Sequence, residues 1–170
     1  MVIVSSIERL SSAFGLIAVI LVAPLIGALV YEVFSRYALG EPTFWAFEVS
    51  YMLMGTIFLL SMAAALRERL HVNVDFLHAV LPRRVRAGFD LIGYTIFIVA
   101  VSWLSLALFE TSLESLRIGE VSGKSAWNPV VWPFKAVWFL GFVVLGLQVC
   151  AEIAKALISL WTGEAVEERR

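Results

Sequence analysis

The sequence predicts an all-α integral membrane protein with four transmembrane helices and a short interfacial amphipathic helix in its second loop. Three observations carry that prediction. Of the 170 residues, 61% are hydrophobic and only 16% charged, with a mean hydropathy of +0.89, whereas soluble domains carry about a quarter charged residues. The apolar residues collect in runs free of charge, Leu10 to Tyr31, Val49 to Leu66, Leu91 to Phe109 and Ala136 to Ala151, the last continuing apolar to Trp161. The 18 residues from Val49 to Leu66, at about 1.5 Å each, make roughly 27 Å of helix, close to the hydrocarbon thickness of a bilayer. These runs define a single four-helix transmembrane domain over residues 1–163, with helices at about 10–34, 44–66, 84–117 and 132–161, and a short polar tail at 164–170.

Composition also excludes function classes. Net charge is -1 and the basic residues are scattered, so no clustered basic face exists for nucleic acid. Cys150 is the single cysteine, which rules out an intramolecular disulfide and a cysteine-based metal cluster. Glu8 and Arg9 precede a run too long for a signal-peptide core, so the first helix reads as a retained anchor.

Helix 1 contains Pro24, which removes one backbone hydrogen bond, and ends with Glu32 and Arg36 spaced to pair on one face. Gly40-Glu41-Pro42-Thr43 reads as a tight turn, with Thr43 placed to cap helix 2. On helix 2, Trp45, Glu48, Met52, Gly55 and Leu59 share a stripe, and Ser61 with Ala65 offers a place for close helix approach. Beyond Leu66 the chain turns polar, and Phe76, Leu77, Val80 and Leu81 form the pattern of a short helix lying flat among headgroups. Leu81-Pro82 ends it, and Arg83, Arg84 and Arg86 anchor helix 3 at lipid phosphates.

Helix 3 keeps its apolar stripe through Leu106, Phe109, Leu113 and Leu116, so it projects past the membrane before Gly119 stops it. Gly119 to Gly123 reads as a flexible turn. Trp127-Asn128-Pro129 and Trp132-Pro133-Phe134-Lys135 then form an aromatic, proline-punctuated re-entry at the interface, with helix 4 beginning near Trp132 or Pro133. In helix 4, Gly141, Leu145, Gln148, Glu152 and Lys155 share one face, which polar content keeps away from lipid. Nine of the basic residues fall on the side of the termini and second loop against four on the other, which puts both termini in the cytoplasm.

The chemistry-bearing residues are few. His71, Asp75 and His78 are spaced as possible metal ligands, but polar residues facing headgroups explain them better, and no catalytic, cofactor or metal site is expected. Both histidines lie in one loop, which is wrong for a haem gripped between helices. Glu48 admits two readings. It is a coupling carboxylate in a self-sufficient, proton-coupled four-helix exporter, or a carboxylate at a helix entrance that reaches water or pairs with Arg36 or Lys135. The second is favoured, because embedded Ser61, Thr95, Ser102, Ser105 and Gln148 are too sparse to line a solute route.

Arg36-Tyr37, Trp45 and Glu48, the segment Arg69-Leu70-His71-Val72-Asn73-Val74-Asp75-Phe76-Leu77, Leu81-Pro82 and Leu147-Gln148 occur in this order across four helices. In this the chain resembles the small membrane subunit, Q-type or DctQ-like, of tripartite ATP-independent periplasmic (TRAP) transporters. The Trp127 to Lys135 stretch resembles members grouped with uptake of organic acids or polyols. The resemblance implies a non-catalytic scaffold in the bacterial inner membrane that imports a solute with a sodium gradient. Its implied partners are a large multi-helix membrane subunit and a periplasmic solute-binding protein. It further implies that Arg36, Trp45, Glu48, His71, Asp75, Trp127, Trp132, Lys135 and Gln148 are partner-interface residues.

Overall fold

The computed structural model describes residues 2–68 and 83–162. The flat second-loop helix, His71, Asp75, His78 and the polar tail lie outside the described residues. Helix α1 spans Val2–Phe34 and continues as a π-helical turn, Ser35–Leu39, closed by Gly40 in the left-handed region at φ 71°. Helix α2 spans Ala46–Arg67, α3 Arg83–Ile118 and α4 Trp132–Thr162. All four contain windows long and apolar enough to cross a membrane, so the chain is an all-α, multi-pass membrane protein. Helix α1 starts at Val2, well before its uncharged run, because the polar residues around Glu8 bond to other helices instead of ending the element. The 36 residues of α3 amount to about 54 Å, well beyond a hydrocarbon core of about 30 Å.

Helices α1 and α2 form one antiparallel pair, with Gly15 against Ala64 near one end and Tyr31 stacked on Trp45 at the other. Helices α3 and α4 form the second, with Val101 against Gly146 and Phe109 beside Phe139. The pairs join along a parallel α2–α4 seam, where Gly55 admits the Trp138 ring and Gly141 admits Leu59. Gly15, Gly55 and Gly141 are thus points of close helix approach. Small residues let the backbones come together where lipid supplies no hydrophobic drive.

Ala63, Leu66, Val101, Val144, Leu145 and Val149 form the core. Within their spanning windows, 28% of α2 and 39% of α4 are buried, against 11% of α1 and 6% of α3. The seam is the interior and the outer helices present apolar faces outward, Leu16, Val19 and Ile20 on α1 and Ile96, Val99 and Trp103 on α3.

The two ends differ. One, the hairpin end, carries the α1–α2 and α3–α4 connections; the other, the terminal end, carries the start of α1 and the last turns of α2 and α4. The α3–α4 connection is not the flexible turn its glycines predict. Val121 and Val130 form an antiparallel bridge, Ser122 N–H donates to Pro129 O at 3.0 Å, and Val131 N–H donates to Glu120 O at 3.1 Å. Gly123 N–H donates to Asn128 Oδ1 at 2.7 Å, and both residues take positive φ, 65° and 47°. The glycines and Asn128 supply the left-handed conformations that a tight reversal requires.

Candidate functional site

At the hairpin end, Glu32 on the last turn of α1 is an anchor. One carboxylate oxygen accepts from Arg36, the other from the backbone N–H and hydroxyl of Thr43. Ser35 Oγ donates to Glu41 O at 2.5 Å, drawing the loop back onto the π turn. Thr43 is thus spent on α1 and does not cap α2; Trp45 occupies the N-cap position without a side-chain bond, held by stacking on Tyr31 at 5.8 Å.

Across the bundle, Lys135 Nζ donates to Glu120 at 2.6 Å and to Ser115 Oγ at 2.7 Å, and Ser115 donates to Glu120. This trio ties the end of α3 to the first turn of α4. Hydrogen bonds from Lys135 and then Ser115 hold the Glu120 carboxyl below its usual value of 4.5, against a smaller opposing desolvation. A depressed carboxylate contributes stability above its unfolded pKa and loses it as pH falls through the folded one. The hairpin is therefore expected to stay closed from neutral pH down to the ordinary carboxylate range and open below it. Emission from the half-exposed Trp127 and Trp132 reports the opening, and Glu120→Gln removes that acid transition.

Glu48, in the first turn of α2 at the same end, is completely buried. Neither carboxylate oxygen has a hydrogen-bond partner among the described residues. The pairing with Arg36 or Lys135 expected from the sequence does not form, because Arg36 is taken by Glu32 and Lys135 by Glu120 and Ser115. Nor does Glu48 reach water. The helix dipole at this first turn offers up to ~2 kcal/mol, less than the several kcal/mol that burying an ion costs. Lys124 is held over the Tyr51 ring at 4.6 Å, and Arg117 at the end of α3 is exposed to solvent.

The terminal end holds a polar chain that runs through the interior. Ser11 Oγ donates to Gln148 Oε1 at 2.8 Å, Gln148 Nε2 donates to Glu152 Oε1 at 2.9 Å, and Lys155 Nζ bonds Glu152 at 2.7 Å and Glu8 at 2.5 Å. Arg67 of α2 donates to Ser12 of α1. Ser11, Gln148 and Glu152 are all buried. This chain joins three helices through paired charges and bonded amides, as buried polar groups require.

Between the ends, Thr56 Oγ1 of α2 accepts from Trp138 Nε1 of α4 at 3.3 Å, and four other hydroxyls turn back onto their own helices. Ser61 donates to Phe58 O, Thr95 to Leu91 O, Ser105 to Val101 O and Thr111 to Ala107 O. Among the described residues no line of polar groups connects the two ends.

Of the residues singled out in the sequence, Arg36, Trp45, Glu48, Trp127, Trp132 and Lys135 gather at the hairpin end, while Gln148 lies in the terminal-end chain. Trp127 and Trp132 are exposed at 41% and 37%, as an interfacial belt requires. Sequence reasoning missed the anchors. Glu32 had been paired with Arg36 but not with Thr43, Glu120 had gone unremarked, and Glu8, Ser11 and Ser12 had no visible link to α2 or α4.

A bundle of four apolar helices, tied by polar clusters at both ends, is that of a multi-pass integral membrane protein. The family model for the DctQ component of tripartite ATP-independent periplasmic transporters matches residues 25–158, and the chain belongs to that family. It is a small permease subunit of the TRAP type. The sialic acid TRAP transporter small permease protein SiaQ of Vibrio cholerae serotype O1 is 30% identical over 84 residues, 49% of this chain and 45% of that protein. The chain thus aligns with less than half the length of this relative.

Proposed function

We propose that the chain is a non-catalytic scaffold of a sodium-driven importer for an organic acid or a related small solute. It works beside a large multi-helix membrane subunit and a periplasmic solute-binding protein. The observation that carries this reading is the interior: embedded Ser61, Thr95 and Ser105 are bonded to their own backbone, and no described polar route joins the ends. A solute needs a path elsewhere, while the apolar outer faces of α1 and α3 offer area for a second membrane protein. The cargo class follows the similarity to a subunit named for sialic acid, itself an organic acid. The excess of basic residues on the terminal side supports an inner-membrane orientation with both termini cytoplasmic.

Co-expression with the products of neighbouring genes tests the assembly. A stable complex with a large membrane protein, and loss of uptake when this chain is deleted, are expected; a lone monomer with uptake intact refutes the scaffold. Reporters in the same cells should place Arg170 in the cytoplasm and Gly123 in the periplasm, and the opposite result overturns the orientation. Glu48 also sustains a second reading, a self-sufficient proton-coupled exporter. Flux through liposomes containing this chain alone, abolished by Glu48→Gln, decides for it; no flux rejects it.

A further inference from the structure

Glu48 is the buried ionisable group that the scaffold reading leaves unused. The residue is 0% exposed, and both carboxylate oxygens lack a hydrogen bond among the described residues. The hydroxyl of Ser50, in the same turn of α2, is the other buried side-chain oxygen at this end left without a partner among the described residues.

The charges on the elements around Glu48 are either bonded to other groups or exposed to solvent. On α1, Glu32 and Arg36 are bonded to each other and Tyr31 stacks on Trp45, while Glu41 of the α1–α2 loop and Glu110, Glu114 and Arg117 of α3 are solvent-exposed, unlike the fully buried Glu48. On α2, Tyr51 follows Glu48 by three residues on the same helix. From the α3–α4 connection, Lys124 sits over that same Tyr51 ring and Glu120 is bonded to Lys135 of α4. No side chain of the described bundle neutralises Glu48. A carboxylate in this state binds a cation, because an unpaired buried ion is unstable.

The closed surroundings select the size of that cation. With neither oxygen open to the surface, a lysine or arginine of another protein cannot reach Glu48 without the bundle opening. We propose that Glu48 holds one small monovalent cation, a proton or a sodium ion, inside this subunit, one helical turn beyond the Tyr31–Trp45 stack. Its place in the first turn of α2, next to the α1–α2 loop, gives the ion a short way to the water on the hairpin side. The occupied site is neutral, so the ion stabilises the packing of α2 between α1 and α4. This inference is independent of the assembly reading, since it concerns the chain by itself.

Thermal unfolding of the full chain in lipid nanodiscs, followed by tryptophan fluorescence, tests it. One arm raises sodium chloride at fixed pH with choline chloride keeping ionic strength constant; the other lowers pH at fixed sodium. A ligand that binds only the folded chain raises the midpoint as it saturates. The expected result is a rise of several degrees in at least one arm, the sodium arm identifying a sodium site and the pH arm a proton site. Glu48→Gln, neutral and nearly the same shape, should remove the response and melt no lower than the saturated wild type. A wild type that responds in neither arm overturns the proposal, as does an identical response in Glu48→Gln. Glu48→Met serves as the second neutral variant. If neither neutral variant folds while the wild type does, the site requires a charge rather than a neutral occupant, and the proposal also fails.

Discussion

Gly15→Leu is expected to separate α1 from α2, whereas Gly27→Leu on the same helix leaves the bundle intact. A β-carbon built at Gly15 would stand 2.7 Å from Ala64 Cβ, while one at Gly27 meets nothing within 4 Å. The obstacle at Gly15 is a methyl fixed to the facing helix, so no rotamer change relieves it and the helices must move apart. Overpacking of this kind costs about 1–3 kcal/mol where the structure yields. A leucine, with three more carbons beyond Cβ, sits at the upper end. The shift also pulls Ser11 and Ser12, one turn away, from Gln148 and Arg67. Thermal unfolding of both variants checks this: a large drop for Gly15→Leu with little change for Gly27→Leu is the expected pattern, and equal effects would place the contact elsewhere.

The contrast between these two glycines also marks what the sequence could reveal. Both occur in the same uncharged run with similar neighbours, and nothing in the run distinguishes them. Helix identity was legible because an uncharged stretch long enough for a bilayer has few other physical solutions. The stripe Gly141, Leu145, Gln148, Glu152 and Lys155 was legible too, since polar residues at helical spacing must face inward, and the first four are buried while the Lys155 side chain keeps 15% exposure. Pairings between helices were not, because they depend on depth and rotation that no single helix encodes. Ser11 meets Gln148 across 137 residues of chain. Thr43 illustrates the same limit on a smaller scale. Local rules make it a helix cap, yet a carboxylate eleven residues earlier competes for its hydroxyl and wins, a charged acceptor binding more strongly than backbone amides can reward. Glu48 was conspicuous in the sequence for its charge, and its expected partners were the right type at the right end. They had closer carboxylates.

Lys155→Met should have the largest effect of any single change at the terminal end. Lys155 is the cation shared by Glu8 of α1 and Glu152 of α4, at 2.5 and 2.7 Å, with only 15% of its side chain exposed. Methionine fills much the same volume, so packing is preserved and the charge alone is lost. Two carboxylates then face each other in a poorly hydrated site, one of them almost wholly buried. Breaking a buried pair by deleting one partner typically costs about 3–5 kcal/mol, mostly through the charge left behind. That origin makes the prediction separable from simple loss of a contact. If stranded charge is the cause, adding Glu8→Gln and Glu152→Gln to Lys155→Met should restore most of the lost stability, because amides carry no charge and still hydrogen-bond Gln148 and each other. Unfolding midpoints of the single and triple variants decide the matter. A triple variant no more stable than Lys155→Met would show that the ammonium acts by its specific geometry rather than by its charge. Because this chain of contacts is where α1 meets α4, its loss should also loosen α1 against the rest of the bundle, and faster amide exchange in the first turns of α1 than in α3 would record it.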